Sequence, residues 1–295
     1  MFGVETQILL KNILFATDFS AAANSAIPYA GRLTRLYGAR LWALHVAPPT
    51  INPMTDPSTW DTLEESAAKK KEEWRQTLLD TFSGFRPEVL IEEGDLLSIF
   101  EKTILENNID LVVMGSHGRG GVSKLLLGSV AEEIFRTAPC PVLTVGPQFD
   151  AKLHRDASIA RILMATDFGP SASAAAACSV GLAMQSKACL TLLNVQEEPK
   201  LANLAQWPKI EELSIRRLED LVPADATHWC VPDYLVEQGD PADRILDVAA
   251  QQGSDLIVLG IRPSKGLPGA ATHLPFATAH KVLARATCPV VTARG

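Results

Sequence analysis

A chain of 295 residues, 47% apolar and 21% charged, has room for two globular domains, each long enough to bury a core of its own. Its net charge of −7 excludes the basic footprint that nucleic acid or an anionic membrane requires, although backbone N–H groups can still bind phosphate locally. The five cysteines are odd in number and lack CxxC spacing, and no apolar run approaches the roughly 18 residues of a membrane span, so a cytoplasmic chain without disulfide framework, zinc site or membrane anchor is expected.

Met1-Phe2-Gly3-Val4-Glu5 lacks a basic region followed by an apolar stretch, so no secretory signal is expected. Residues 13–17 are short and apolar throughout, as a strand covered on both faces must be. After the turn Asp18-Phe19-Ser20, Ser20 caps a helix running to about Tyr37, and Gly38 suits its end. Residues 41–46 form a second buried strand, with His45 as a strand-end residue rather than a ligand. A helix over about 58–82 carries Lys69-Lys70-Lys71 beside Glu72-Glu73, which reads as a solvated face. A strand over 87–92, a helix over 96–107 and a strand over 111–114 follow. Ser129-Val130-Ala131-Glu132 fits a capping box with Ser129 as N-cap, Ala138-Pro139 ends that helix, and residues 142–145 form the last strand. Right-handed crossovers turn this β-α-β-α-β-α-β-α-β order into an open sheet with helices on both faces.

The whole pattern then repeats. Residues 13–20, ILFATDFS, return as ILMATDFG at 162–169; EEGD at 92–95 returns as EQGD at 237–240. DLVVMG at 110–115 returns as DLIVLG at 255–260, and CPVLT at 140–144 as CPVVT at 288–292. The offsets of 149, 145, 145 and 148 describe two collinear copies, one over 1–147 and the other over 158–295.

Between the fourth strand and the last helix of the first copy lie five glycines in the fifteen residues 115–129. Glycine permits positive φ and lets a ligand approach without a Cβ in the way. Successive N–H groups can then form an anion nest, and the following helix aims its N-terminal N–H groups at the same place. Phosphate is the expected guest. No GxxxxGK[ST] string occurs, and no GxGxxG follows the first strand.

The spacing of Gly115, Gly118 and Gly128-Ser129, with the DLVVMG strand, the TDFS turn and the CPV strand, resembles the universal stress protein family over nearly the whole chain. The resemblance implies two tandem, open, parallel five-stranded sheets of the Rossmann-like adenine-nucleotide α-hydrolase kind, each with strand order 3-2-1-4-5 and helices on both faces. It also implies fifth strands that pair the two domains within the chain, with homodimers as a further step. Ala16, Thr17 and Asp18 would line an adenosine pocket, with Asp18 near ribose and base; capping of the first helix is the alternative role for Asp18. Val46 would offer main-chain atoms to adenine. Gly115, Gly118, Gly128, Ser129 and the Val130 N–H would surround the phosphates of ATP, with Mg2+ held through those phosphates, and Met114 would belong to the same nucleotide site. His117 and Arg119 are weaker members, and Arg119 suits a solvated loop equally well.

The second copy departs at the decisive positions. Pro263 replaces Gly118, Phe276-Ala277 stand where Gly128-Ser129 stood, and the loop is three residues longer. Proline removes a donor and fixes φ, so no ATP is expected there. No nucleophile with a His and acid partner, and no paired carboxylates for two-metal chemistry, can be read. A nucleotide-dependent regulator or scaffold of the stress response is therefore the leading expectation. An ATP-hydrolysing or adenylyl-transferring enzyme, or a nucleotide-free interaction protein, are the alternatives.

Overall fold

The computed structural model describes residues 9–50, 60–116, 128–154, 156–196, 206–224, 226, 231–261 and 277–295. The first copy comprises β1 (Asn12–Ala16), α1 (Ala21–Tyr37), β2 (Arg40–Ala47), α2 (Trp60–Thr81), β3 (Glu88–Glu93), α3 (Leu96–Glu106), β4 (Leu111–Gly115), α4 (Ser129–Thr137) and β5 (Val142–Val145). The second comprises β6 (Arg161–Thr166), α5 (Ala172–Ser186), β7 (Cys189–Gln196), α6 (Trp207–Glu219), β8 (Asp233–Gln238), α7 (Pro241–Gln252), β9 (Leu256–Ile261), α8 (Ala277–Arg285) and β10 (Val290–Arg294).

The strands lie in the order β3-β2-β1-β4-β5-β10-β9-β6-β7-β8. Each half has the expected parallel 3-2-1-4-5 order. The two sheets are not separate, because β5 and β10 pair antiparallel, Thr144 opposite Val290 and Val142 opposite Thr292. One ten-stranded sheet results, and the antiparallel seam turns the carboxyl edges of the two halves in opposite directions. In each half the chain leaves its first strand one way and returns to its fourth on the other side, so a switch point opens between β1 and β4 and again between β6 and β9.

Alternating side chains feed two apolar layers. Ile13 and Phe15 of β1 join Tyr29, Leu33, Leu78 and Phe82 on the α1 and α2 side. Leu14 joins Phe100, Ile104, Ile134 and Phe135 on the α3 and α4 side. Both layers continue into the second half, through Met164, Leu182 and Leu218 on one face and Leu163, Val248 and Leu283 on the other.

Several repeated strings are structural fasteners. Asp110 Oδ2 accepts from the N–H groups of Lys11 and Asn12 at 2.7 and 2.8 Å, and Asp255 Oδ2 does the same for Ala160 and Arg161 at 2.9 Å. Gly94 and Gly239 take φ of 143° and 134°, which L side chains rarely adopt, and the aspartates after them cap α3 and α7.

Candidate functional site

The turn after β1 is held by its own side chains. Thr17 Oγ1 accepts from Phe19 N–H at 2.9 Å, and Asp18 Oδ1 accepts from Ser20 N–H at 3.0 Å. Ser20 Oγ in turn accepts from Ala23 N–H at 3.2 Å, so Ser20 caps α1, and Asp18 fastens the turn before it. Phe19 is thereby placed in the left-handed region, at φ 62°. The second half repeats the device: Thr166 Oγ1 accepts from Phe168 N–H at 2.9 Å, Asp167 Oδ1 from Gly169 N–H at 2.8 Å, and Phe168 has φ 57°.

Ala16, Val46 and Met114 converge at the carboxyl edge of the sheet, all packed on the α3 and α4 layer. Pairing of β1 with β2 ends at Ala16 opposite Leu44, with a last bond from Thr17 N–H to Leu44 C=O at 3.0 Å. Main-chain groups alternate sides along a strand. Ala47 C=O accepts from Gly94 beside β3, so the N–H and C=O of Val46 point the other way, toward the end of β1.

His45 lies on the opposite face. Its Nδ1 is 2.8 Å from Thr17 C=O, and its buried ring packs against Phe19 and Trp74, at centroid distances of 4.8 and 4.5 Å. Lys70 stands over Trp74 at 5.2 Å, and Lys71 Nζ is 2.8 Å from Glu93 Oε2, so the lysine run is more than a solvated face. The Lys71 ammonium, with the Thr50 N–H, holds the Glu93 carboxyl below the ordinary carboxylate range.

Gly115 has a packing reason of its own. A Cβ there would stand 2.5 Å from the carbonyl of Ala22, because the first turn of α1 crosses directly over the end of β4. Gly260 likewise faces Ser171, with its carbonyl oxygen 2.9 Å from the added atom. Ser116 is fully buried, its N–H bonded to Val145 C=O at 3.0 Å and its C=O accepting from Gly128 N–H at 2.8 Å. That bond returns the chain to the switch point. The N-cap of α4 is Gly128, at φ −66° and ψ 140°, and Ser129 is the first helical residue, which corrects the capping box built on Ser129. Glycine has no side-chain oxygen to take the first-turn N–H groups of α4, which begins with Ser129 and Val130. His117, Gly118 and Arg119 lie outside the described residues, as do Pro263 and Phe276.

The second crevice is stitched differently. Ile261 stands where Ser116 does, and its carbonyl accepts from Ser171 Oγ at 2.6 Å. Asn194 replaces His45, and its Nδ2 donates to Thr166 C=O at 2.8 Å. The guanidinium of Arg217 lies 3.9 Å from the Phe168 ring centroid, where Trp74 attends Phe19 in the first half. Sequence reasoning passed over Ser116 and the Phe19–His45–Trp74 stack; the duplicated Thr-Asp-Phe string was the available signal. Among the described residues no three His, Cys, Asp or Glu side chains cluster as metal ligands, and no helix is long and apolar enough to cross a membrane.

A model described as the universal stress protein family matches residues 10–146 and again 158–294. A universal stress protein of Thermus aquaticus is 30% identical over 137 residues, covering 46% of this chain and 99% of the relative. One from Mycobacterium tuberculosis is 24% identical over 292 residues, covering 96% of each chain. A universal stress protein structure from Archaeoglobus fulgidus superposes with a TM-score of 0.70 at 22% identity, over 96% of this chain and 98% of that one.

Proposed function

The chain belongs to the universal stress protein family, and from that premise we propose that its first half binds ATP, or another adenine nucleotide, as a nucleotide-dependent regulator or scaffold in the stress response. The observation that carries this reading is the fastening of Gly128 to Ser116 C=O at 2.8 Å, which sets a side-chain-free helix start beside the switch point. Donors and a positive dipole end then face one place, where phosphate is stabilised. Gly118 and the glycines around it would complete the nest.

The remaining residues fit the other parts of the ligand. Val46 would present one main-chain donor and one acceptor to adenine, with Ala16 and Met114 as apolar neighbours. Thr17 and Asp18 would edge the ribose. Asp18 already spends Oδ1 on Ser20 N–H, so its role toward a nucleotide is to hold the turn's shape as much as to touch the sugar. Mg2+ would be carried by the phosphates. Bound ATP would supply charge and a triphosphate; the chain's residues would bind and orient it.

In the second half Pro263 and Phe276 replace Gly118 and Gly128, and the Ile261 carbonyl is committed to Ser171. That half would pair with the first through β10 and present a surface rather than a nucleotide pocket.

The test is direct. Purified protein is denatured, and any released nucleotide is identified by mass; an apo preparation is titrated with ATP and magnesium. Wild type should bind, and Gly118→Pro, copying the second half, should abolish binding without changing the melting temperature by more than a few degrees. Equal affinity in that variant would remove the phosphate-loop assignment. Turnover well above about 1 s⁻¹, the low end of ordinary enzymes, would favour the enzymatic reading instead.

A further inference from the structure

We infer that His45 is a positioning residue of the nucleotide crevice: its imidazole clamps the Thr17 carbonyl and so fixes the turn on which Asp18 stands. This rests on the nucleotide reading above, and it assigns His45 no contact with the ligand. Thr17 C=O can only accept, so the Nδ1 that faces it at 2.8 Å carries the proton and donates. The donated bond spans from β2 to the residue immediately after β1, the strand that borders the switch point.

Three observations make the clamp more than a buried histidine satisfying itself. First, His45 and Val46 are adjacent on β2 and point to opposite faces, so one strand end holds the turn with a side chain on one face while Val46 lies on the other. Second, the buried ring packs against both Phe19 and Trp74, at 4.8 and 4.5 Å, which restricts the orientation of the imidazole. Third, the second half makes the same connection with a different side chain: Asn194 Nδ2 donates to Thr166 C=O, also at 2.8 Å. An imidazole and a carboxamide differ in shape and basicity, and both put an N–H donor within reach of this carbonyl. The requirement at this position is that donor, and neither imidazole basicity nor ring shape.

The two halves therefore supply their own control variants. His45→Asn copies the second half and preserves the donor. His45→Leu removes the donor but suits the apolar slot between Phe19 and Trp74, so the fold should persist; if it does not, His45→Ser, too short to span the gap, takes its place. Asn194→Leu makes the same deletion in the half not expected to bind nucleotide. The full chain carrying each change is titrated with ATP and magnesium, and amide exchange at Phe19 and Ser20 is followed without nucleotide.

His45→Asn should bind within about twofold of wild type. His45→Leu should bind roughly tenfold more weakly, the size of one lost hydrogen bond that orders the site, with faster exchange at Ser20. Asn194→Leu should leave the affinity unchanged. Wild-type affinity in His45→Leu would overturn the inference, as would equal weakening in Asn194→Leu, which would mark a general loss of stability. A wild type that binds no adenine nucleotide would sink the nucleotide reading itself, and the positioning role with it.

Discussion

At the scale of single residues, the repeat separates what the fold needs from what a ligand needs. Gly115 and Gly260 both lie under the first turn of a helix, and one of them precedes a loop rich in glycine while the other does not. Their shared reason is therefore backbone packing. Gly115→Ala should cost about 1–3 kcal/mol or more, because a methyl 2.5 Å from the Ala22 carbonyl forces α1 off β4. Urea unfolding would measure it, and an unshifted midpoint would contradict the close approach. Asp18 and Asp167 are likewise matched fasteners, each accepting from the N–H two residues on. Asp18 was legible in the sequence as important, but its geometry was not, because an Asx turn and a ribose contact ask for the same residue. Ser129 misled for a related reason. Serine is a favoured N-cap, yet here the residue before it takes the cap position, held there by a bond to the Ser116 carbonyl that no local rule reveals.

At the scale of elements, the sequence was most informative where a strand is apolar throughout. β1, β2, β4 and β5 fall within one or two residues of their expected bounds, and so do α1 and α3, since continuous apolarity and a polar cap at each helix start are local signals. The direction of the seam is different. Thr144 meets Val290, 146 positions further along the chain, and only the family resemblance pointed to that contact. One element carries an avoidable cost: Pro28 sits exposed inside α1, where it removes an internal hydrogen bond. Pro28→Ala should raise stability by about 1 kcal/mol or more, seen as a higher melting temperature. A lower one would mean that a bend at Pro28 is needed to lay the helix over Gly115.

At the scale of the whole molecule, the halves are joined by more than the strand seam. Tyr37 Oη donates to Gly181 C=O at 3.3 Å, Gln185 Nε2 to Leu36 C=O at 2.9 Å, and Arg294 Nη1 to Thr137 C=O at 2.7 Å, the last at the C-terminal end of α4. The connecting segment adds a titratable joint. Phe149 packs on Tyr29 of α1 at 5.9 Å and stacks on His154 at 5.6 Å, whose Nδ1 lies 3.7 Å from Asp255. Burial holds the His154 imidazole below its ordinary value, against the opposing pull of Asp255 and Asp150. The unfolded chain therefore takes up a proton first as pH falls below about 6.5, so this residue's contribution is intact above that pH and is lost as pH drops toward the folded-state value. Unfolding midpoints at pH 7.5 and 5.5 should drop less in His154→Phe than in wild type; an equal drop would deny the joint its pH sensitivity.

The same two-half architecture frames the question of where nucleotide goes. A symmetric sheet offers two switch points, and the residues around them differ enough that one should serve and the other should not. Calorimetric titration of the full chain with ATP and magnesium, alongside Gly118→Pro, puts that to the test most directly. One nucleotide per chain, lost in the variant, is the predicted result; two per chain, or undiminished binding after the glycine is replaced, would contradict it.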